Sequence, residues 1–244
     1  MSEKKVALIT GANKGIGFET ARQLGAQGIT VLVGARDEAR GTEAAKKLQA
    51  EGIDAHFLHL DVNDATTHVN AAKFIDEKFG KLDILINNAG VLLDYTVPAS
   101  AVPVENWRKT FETNVFSLVE LTQTLLPLIK KSEAGRIVNL SSILGSLALN
   151  SDPNSPIAAS NGTNTSYNAS KAAVNMFTVQ LAHELKDTNV KVNSAHPGWV
   201  KTDMGGEAAP MEIVDGAKTS VFLATLPADG VSGRYIHMGE ELPW

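Results

Sequence analysis

Short, continuous apolar runs recur along this chain, and stretches with helical spacing separate them. Val6–Ile9, Val31–Val33, Ala55–Leu60, Leu82–Ile86, Arg136–Leu140, Val190–Ala195 and Tyr235–Met238 read as strands. Continuous runs, rather than apolar–polar alternation, mark a parallel sheet covered on both faces. Between them, Gly15–Gly28, Glu38–Glu51, Thr66–Phe79, Asn106–Lys131, Ser166–Lys186 and Ile213–Leu226 carry helical patterns. Repeated strand–helix–strand units with right-handed crossovers predict an α/β fold. The expectation is one domain over residues 1–244, a doubly wound parallel sheet of about seven strands with helices on both faces. Residues 147–165 are rich in Asn, Ser, Pro and Ala, and read as a loop or insertion.

Composition narrows the function classes. Hydrophobic residues make up 43% of the 244, enough for a packed core. A net charge of −5 offers no basic footprint for nucleic acid. With no cysteine, there is no disulfide, thiolate nucleophile or cysteine-bound zinc, and the six histidines show no metal-ligand spacing. The polar N-terminal segment does not read as a signal peptide, and no apolar run is long enough to cross a bilayer, so a cytoplasmic location is expected. Asn139, Asn161, Asn164 and Asn168 each begin an Asn-x-Ser/Thr triplet, read as coincidence in such a setting.

The first strand runs into Thr10-Gly11-Ala12-Asn13-Lys14-Gly15-Ile16-Gly17, where a helix begins. Glycines at a strand-to-helix turn let the backbone approach a pyrophosphate, and the helix N-terminus offers free N–H groups to the anion. An enzyme that prefers NAD places an acid at the end of the second strand, where it bonds the ribose 2′-hydroxyl. Here Ala35 is followed by Arg36, and Asp37 reads as the start of the next helix. A cation without an acid suits a 2′-phosphate, hence NADPH. Further on, Tyr167 and Lys171 are four apart at the start of a helical pattern and share one face. A free tyrosine holds its proton to a pKa of about 10. A nearby ammonium would lower that value and make the phenol a better acid. Ser142 closes Val138-Asn139-Leu140-Ser141-Ser142 after the fifth strand, at the sheet edge where open α/β folds bind ligands.

Taken in order, Thr10–Gly17, Asp61, Asn87-Asn88-Ala89-Gly90, Asn114, Ser142, Tyr167 with Lys171, and Pro197-Gly198 resemble the short-chain dehydrogenase/reductase family, a Rossmann-type fold, over nearly the whole chain. Asn13–Gly17, Ala35–Asp37 and His196–Met204 look most like the NADPH-dependent carbonyl reductases. The resemblance implies a catalytic set of Asn114, Ser142, Tyr167 and Lys171. Ser142 is preferred over Ser141, and Asn114 distorts its helix and extends a proton relay. It implies NADPH/NADP+ bound by Gly11, Asn13, Lys14, Gly15, Ile16, Gly17, Arg36, Asp61, Val62, Asn88, Ala89, Gly90, Tyr167, Lys171, Pro197, Gly198, Val200 and Thr202. Lys14 would stand near the 2′-phosphate and Asp61 near the adenine, with the pro-S hydride transferred. Ile143, Leu144, Trp199 and Met204 would line an apolar pocket for a small-molecule ketone or aldehyde, and residues 205–211 read as a lid or an ordinary loop. Ser142 and Tyr167 stand about twice as far apart as in the family's plain members. Monomeric carbonyl reductases carry a still longer insertion here, so a monomer is favoured with a dimer open. The alternatives are an alcohol or hydroxysteroid dehydrogenase running in the oxidative direction, and a non-catalytic NADPH sensor.

Overall fold

The computed structural model describes residues 4–244. Its strands are β1 (Val6–Thr10), β2 (Thr30–Ala35), β3 (Ala55–His59), β4 (Ile84–Asn87), β5 (Arg136–Leu140), β6 (Lys191–Ala195), β7 (Tyr235–His237) and β8 (Glu240–Glu241). They form one sheet in the order β3-β2-β1-β4-β5-β6-β7-β8. The first seven are parallel, and β8 runs antiparallel to β7. From β1 the chain winds outward through β2 to β3, then returns to place β4 on the other side of β1. Open sheets bind ligands in the crevice at such a reversal, beyond the strands' carboxyl ends.

The helices are α1 (Gly15–Gly25), α2 (Glu38–Ala50), α3 (Ala65–Phe79), α4 (Val104–Phe111), α5 (Ser117–Lys130), α6 (Leu147–Ser151), α7 (Thr165–Glu184), α8 (Ile213–Gly216) and α9 (Lys218–Ala224). They cover both faces of the sheet. Ala7, Ile9, Val31 and Val33 pack with Ala21, Leu24, Leu48 and Val221 on one face. Val6, Leu8, Leu32 and Leu85 pack with Ala71, Ile75, Leu121 and Leu181 on the other. Neighbouring strand residues therefore enter opposite cores, which is why the strands are apolar without alternation. Each Val, Leu or Ile side chain so buried stabilises the fold by about 1.5–3 kcal/mol.

Three expectations are corrected. The sheet has an eighth strand, because Met238 and Gly239 take φ of 49° and 91° and turn the chain back on β7. Two positive φ values suit the right-handed twist of a two-residue hairpin, but Met is not a residue that signals one. The helix that the pattern reads as continuous over 106–131 holds a π-helical turn at Glu112–Phe116, at the Asn114 where the family resemblance implies a distortion. The expected helix 213–226 is two short helices joined at Ala217, which stays in the helical region.

The insertion contains α6 and a 3-10 turn at Ala158–Ser160, and is tethered at both ends. At the near end Asn150 Nδ2 donates to the carbonyls of Leu144 and Ser146, and Ala148 N donates to Trp244 O. Trp244 in turn stacks on the buried Tyr235, with ring centroids 5.5 Å apart. At the far end Ala99 N donates to Gly162 O, Thr96 N to Asn164 Oδ1, and Ser166 N to Asp94 Oδ2 at 2.7 Å. Asp94 is fully buried and stands in for a capping side chain at the start of α7, where Asn164 provides none.

Candidate active site

The turn between β1 and α1 is held from across the sheet. Thr10 Oγ1 accepts from Asn88 N and Ala89 N, both at 2.9 Å, and Asn88 Nδ2 donates to Thr10 O. Gly17 permits this packing, since a Cβ there would lie 2.5 Å from Asn88 Nδ2. Gly11 and Gly15 have φ of 64° and 57°, which L side chains rarely adopt. At the N-terminus of α1, Lys14 makes no side-chain capping bond and the first turn holds no acid. The N–H groups and the positive end of the helix dipole are left for an anion. A dinucleotide pyrophosphate fits this cradle.

At the end of β2, Ala35 is buried and Arg36 exposed, and Arg36 has no ion-pair partner among the described residues. Asp37 is committed elsewhere: it caps α2, accepting from Arg40 N at 2.9 Å, and pairs with the Arg40 guanidinium. Lys14 is not free. It pairs with Asp203 and holds that carboxyl below its usual range. Asp61 does not cap the following helix, a role taken by Asp64. Its Oδ1 accepts from Asn63 N, and Val62 beside it is half-buried.

The four residues of the implied catalytic set converge beyond β4 and β5. Ser142 caps a 3-10 turn at Ile143–Gly145, and its hydroxyl acts on the Tyr167 phenol. Ser141 Oγ points instead to the backbone of α7 at Lys171. Tyr167 lies in the first turn of α7, with Lys171 Nζ 5.6 Å from its ring centroid. The ammonium donates to Leu140 O at 2.7 Å. The π turn carries Asn114, whose Oδ1 accepts from Val91 N while Nδ2 donates to Val91 O and Ser170 Oγ. Such turns recur at functional sites because the widened turn redirects a side chain. Gly90 stands between two of these groups: a Cβ there would lie 3.3 Å from Asn114 Oδ1 and 3.7 Å from Lys171 Nζ.

The expected lowering of the tyrosine pKa by the lysine is not found in the cofactor-free chain. Burial dominates and pushes Tyr167 up to about 12, with only Ser142 opposing, while burial pulls Lys171 down to about 8. Lys171 is engaged with Leu140 O at 2.7 Å and stands 5.6 Å from the centre of the Tyr167 ring, and it is still mostly charged at neutral pH.

After β6, Pro197 and Gly198 lead into a segment that folds over the glycine loop. Thr202 Cγ2 is the nearest side-chain atom to a Cβ built on Gly15, at 3.7 Å, and Asp203 reaches Lys14. The base of this segment is pinned, with Lys201 N donating to Met211 O and Met211 N to Trp199 O. Val200 is buried. Ile143 and Leu144 are half-buried, whereas Trp199 and Met204 are exposed, with Trp199 Nε1 donating to Gly205 O. Pattern reading missed Asp94 and Ser170 and gave the Thr10 side chain no role of its own, since bonds across long sequence intervals leave no local signal. It also gave Asn139 no internal role. That side chain is fully buried and links Asn87 to Thr178, which leaves it no room for a glycan. Among the described residues no cluster suits a metal ion, and no helix is long and apolar enough to cross a membrane.

A family model described as short chain dehydrogenase matches residues 5–213. Carbonyl reductase [NADPH] 1 of Rattus norvegicus is 33% identical, covering 100% of this chain and 99% of that protein. The short-chain dehydrogenase anuI of Penicillium roqueforti is 38% identical over 91% of this chain and 89% of its own. Among solved structures, NADPH-bound carbonyl reductase from chicken fatty liver superposes with a TM-score of 0.85 at 28% identity, covering 99% of this chain and 100% of that one.

Proposed function

The chain belongs to the short-chain dehydrogenase family, and from that premise we propose that it is an NADPH-dependent reductase of ketones and aldehydes, acting in the cytoplasm. The observation that carries this reading is the meeting of Ser142, Tyr167, Lys171 and Asn114 in one buried polar cluster. It lies at the same sheet edge as the uncapped glycine loop and the unpaired Arg36. Relatives named carbonyl reductase [NADPH] support both substrate class and cofactor, and Ala35–Arg36 supports the 2′-phosphate.

NADPH, when bound, supplies the hydride that reaches the carbonyl carbon. The oxygen that gains charge becomes a stronger base than a tyrosinate, so the Tyr167 phenol gives up its proton to it. With a pKa pushed up to about 12, Tyr167 still holds that proton at neutral pH. Ser142 donates to the same oxygen and orients it. Lys171 stabilises the tyrosinate that remains, and Asn114 keeps the helix open beside it. Arg36 and Lys14 bind the 2′-phosphate, and Ile143, Leu144, Trp199 and Met204 form the apolar wall against the substrate's flank.

The test is oxidation of NADPH and of NADH against aryl ketones, α-keto esters, quinones and aliphatic aldehydes. Tyr167→Phe is expected to bind NADPH nearly as well as the parent and to lower turnover by about 10²–10⁴, the range for a positioned general acid. Unchanged turnover in that variant would remove Tyr167 from the mechanism.

A further inference from the structure

His196 ends the run of buried positions along β6 and stands just before Pro197-Gly198. Its Nδ1 accepts from two backbone amides: Ile143 N at 3.2 Å and Gly198 N at 3.4 Å. Ile143 directly follows Ser142. Gly198 opens the segment that carries Val200 and Thr202. One ring nitrogen thus joins the turn after β5 to the turn after β6, the two elements that must hold substrate oxygen and nicotinamide in register.

The ring is held in the form this requires. An atom that accepts from two N–H groups carries no proton, so the proton sits on Nε2. His237 packs against it, with ring centroids 4.7 Å apart, and its Nδ1 donates to His196 O at 2.9 Å. His196 N donates to Ile236 O in the β6–β7 ladder. Burial, with His237 second, takes the His196 pKa down to about 3, so the neutral ring persists across the working range. An aliphatic side chain would pack in this place but accept nothing.

We propose that His196 is a positioning residue whose Nδ1 locks the Ser142 turn to the nicotinamide-side segment. The proposal rests on the reductase reading for its catalytic consequence, but not for the lock itself. His196→Leu removes the acceptor, and His196→Asn restores one close to the position of Nδ1.

Three readouts on the full chain separate the possibilities. Amide hydrogen exchange needs no ligand. Protection at Ile143 and Gly198 is expected to fall at least tenfold in His196→Leu and to return in His196→Asn. Binding then compares NADPH with 2′,5′-ADP, which lacks the nicotinamide half. His196→Leu should weaken NADPH several-fold while leaving 2′,5′-ADP unchanged. Turnover should fall about tenfold or more in His196→Leu, in kcat as well as through a several-fold rise in KM for NADPH, and both should recover in His196→Asn. If His196→Leu does not fold, the asparagine variant still decides, since its exchange at both amides must match the parent. Unaltered protection in His196→Leu, or loss of protection in His196→Asn, overturns the lock. A parent chain that bound no NADPH would defeat the reductase reading instead, and the exchange comparison would still decide the role of His196.

Discussion

Two cations face the place where the 2′-phosphate is proposed to bind, and the structure makes them unequal. Arg36 has no ion-pair partner among the described residues, so a phosphate adds a contact without breaking one. Lys14 is paired with Asp203, both side chains being mostly exposed. A phosphate must displace that carboxylate before Lys14 contributes. A hydrogen bond to a charged group is worth about 1.5–3 kcal/mol. Arg36→Leu should therefore raise the Kd for NADPH by roughly 10- to 150-fold and leave that for NADH unchanged. Lys14→Ala should cost less, since an exposed ion pair lost on binding already offsets part of the gain. Asp203→Asn should tighten NADPH by roughly two- to five-fold, and the tightening should vanish in the Lys14→Ala background, because the two changes act through one contact. Fluorescence titration with both nucleotides at fixed, low ionic strength measures the parent and all four variants. Added salt should shrink every difference. Tighter NADPH binding by Asp203→Asn with Lys14 already removed would refute the displacement argument, as would an Arg36→Leu variant that keeps its NADPH preference.

Gly90→Ala places a methyl against Asn114 Oδ1 and near Lys171 Nζ without demanding an unusual backbone; turnover should fall about tenfold or more while NADPH binding holds, as steady-state kinetics and titration would reveal. The cofactor-free chain should gain stability as pH rises from about 8 towards 10. Lys171 has a folded pKa of about 8 against 10.5 for the free group, so its contribution is full above 10.5 and is lost as pH falls to 8. Tyr167, raised to about 12, opposes this above pH 10, and urea midpoints for Lys171→Met should show no rise over the lower window. Arg136 is buried and donates only to carbonyls, those of Gly135, Asn189, Leu226 and Pro227. Arg136→Leu should lower stability by about 1–3 kcal/mol in chemical denaturation, with loss concentrated where residues 226–227 meet the sheet.

The legible part of the fold is that governed by local pattern. Val6–Ile9 and Val31–Val33 are apolar throughout because both sheet faces are covered, so their runs announce a parallel sheet. Tyr167 and Lys171 share a helix face by spacing alone. Where a long-range contact overrides the local preference, the pattern fails. The helix around Asn114 reads as continuous from its periodicity, and only the family resemblance implies a distortion; that side chain's amide bonds Val91 and Ser170 where the turn widens. The hairpin at Met238-Gly239 is invisible for the opposite reason, since nothing about Met marks a positive φ. In the sequence His196 is marked only by its place beside Pro197-Gly198. Gly198 is a local partner two residues on, but Ile143 comes from another segment of the chain, and no spacing rule connects it to His196.

The tethers at each end of the insertion separate two jobs within one loop. Residues 146–150 are tied to Leu144 and Trp244, and residues 162–166 to Asp94, Thr96 and Ala99. Between them, residues 152–161 are bonded, among the described residues, only within the insertion, Ser160 O accepting from Thr163 and Asn161 Nδ2 donating to Asn150 O. That stretch behaves as an exchangeable cassette seated in a fixed frame. Its length and composition can drift, or be swapped by grafting, and remodel the entrance to the crevice while the proton donor stays in place. A chain built this way can acquire new substrates by altering about ten residues, without disturbing the chemistry those substrates undergo.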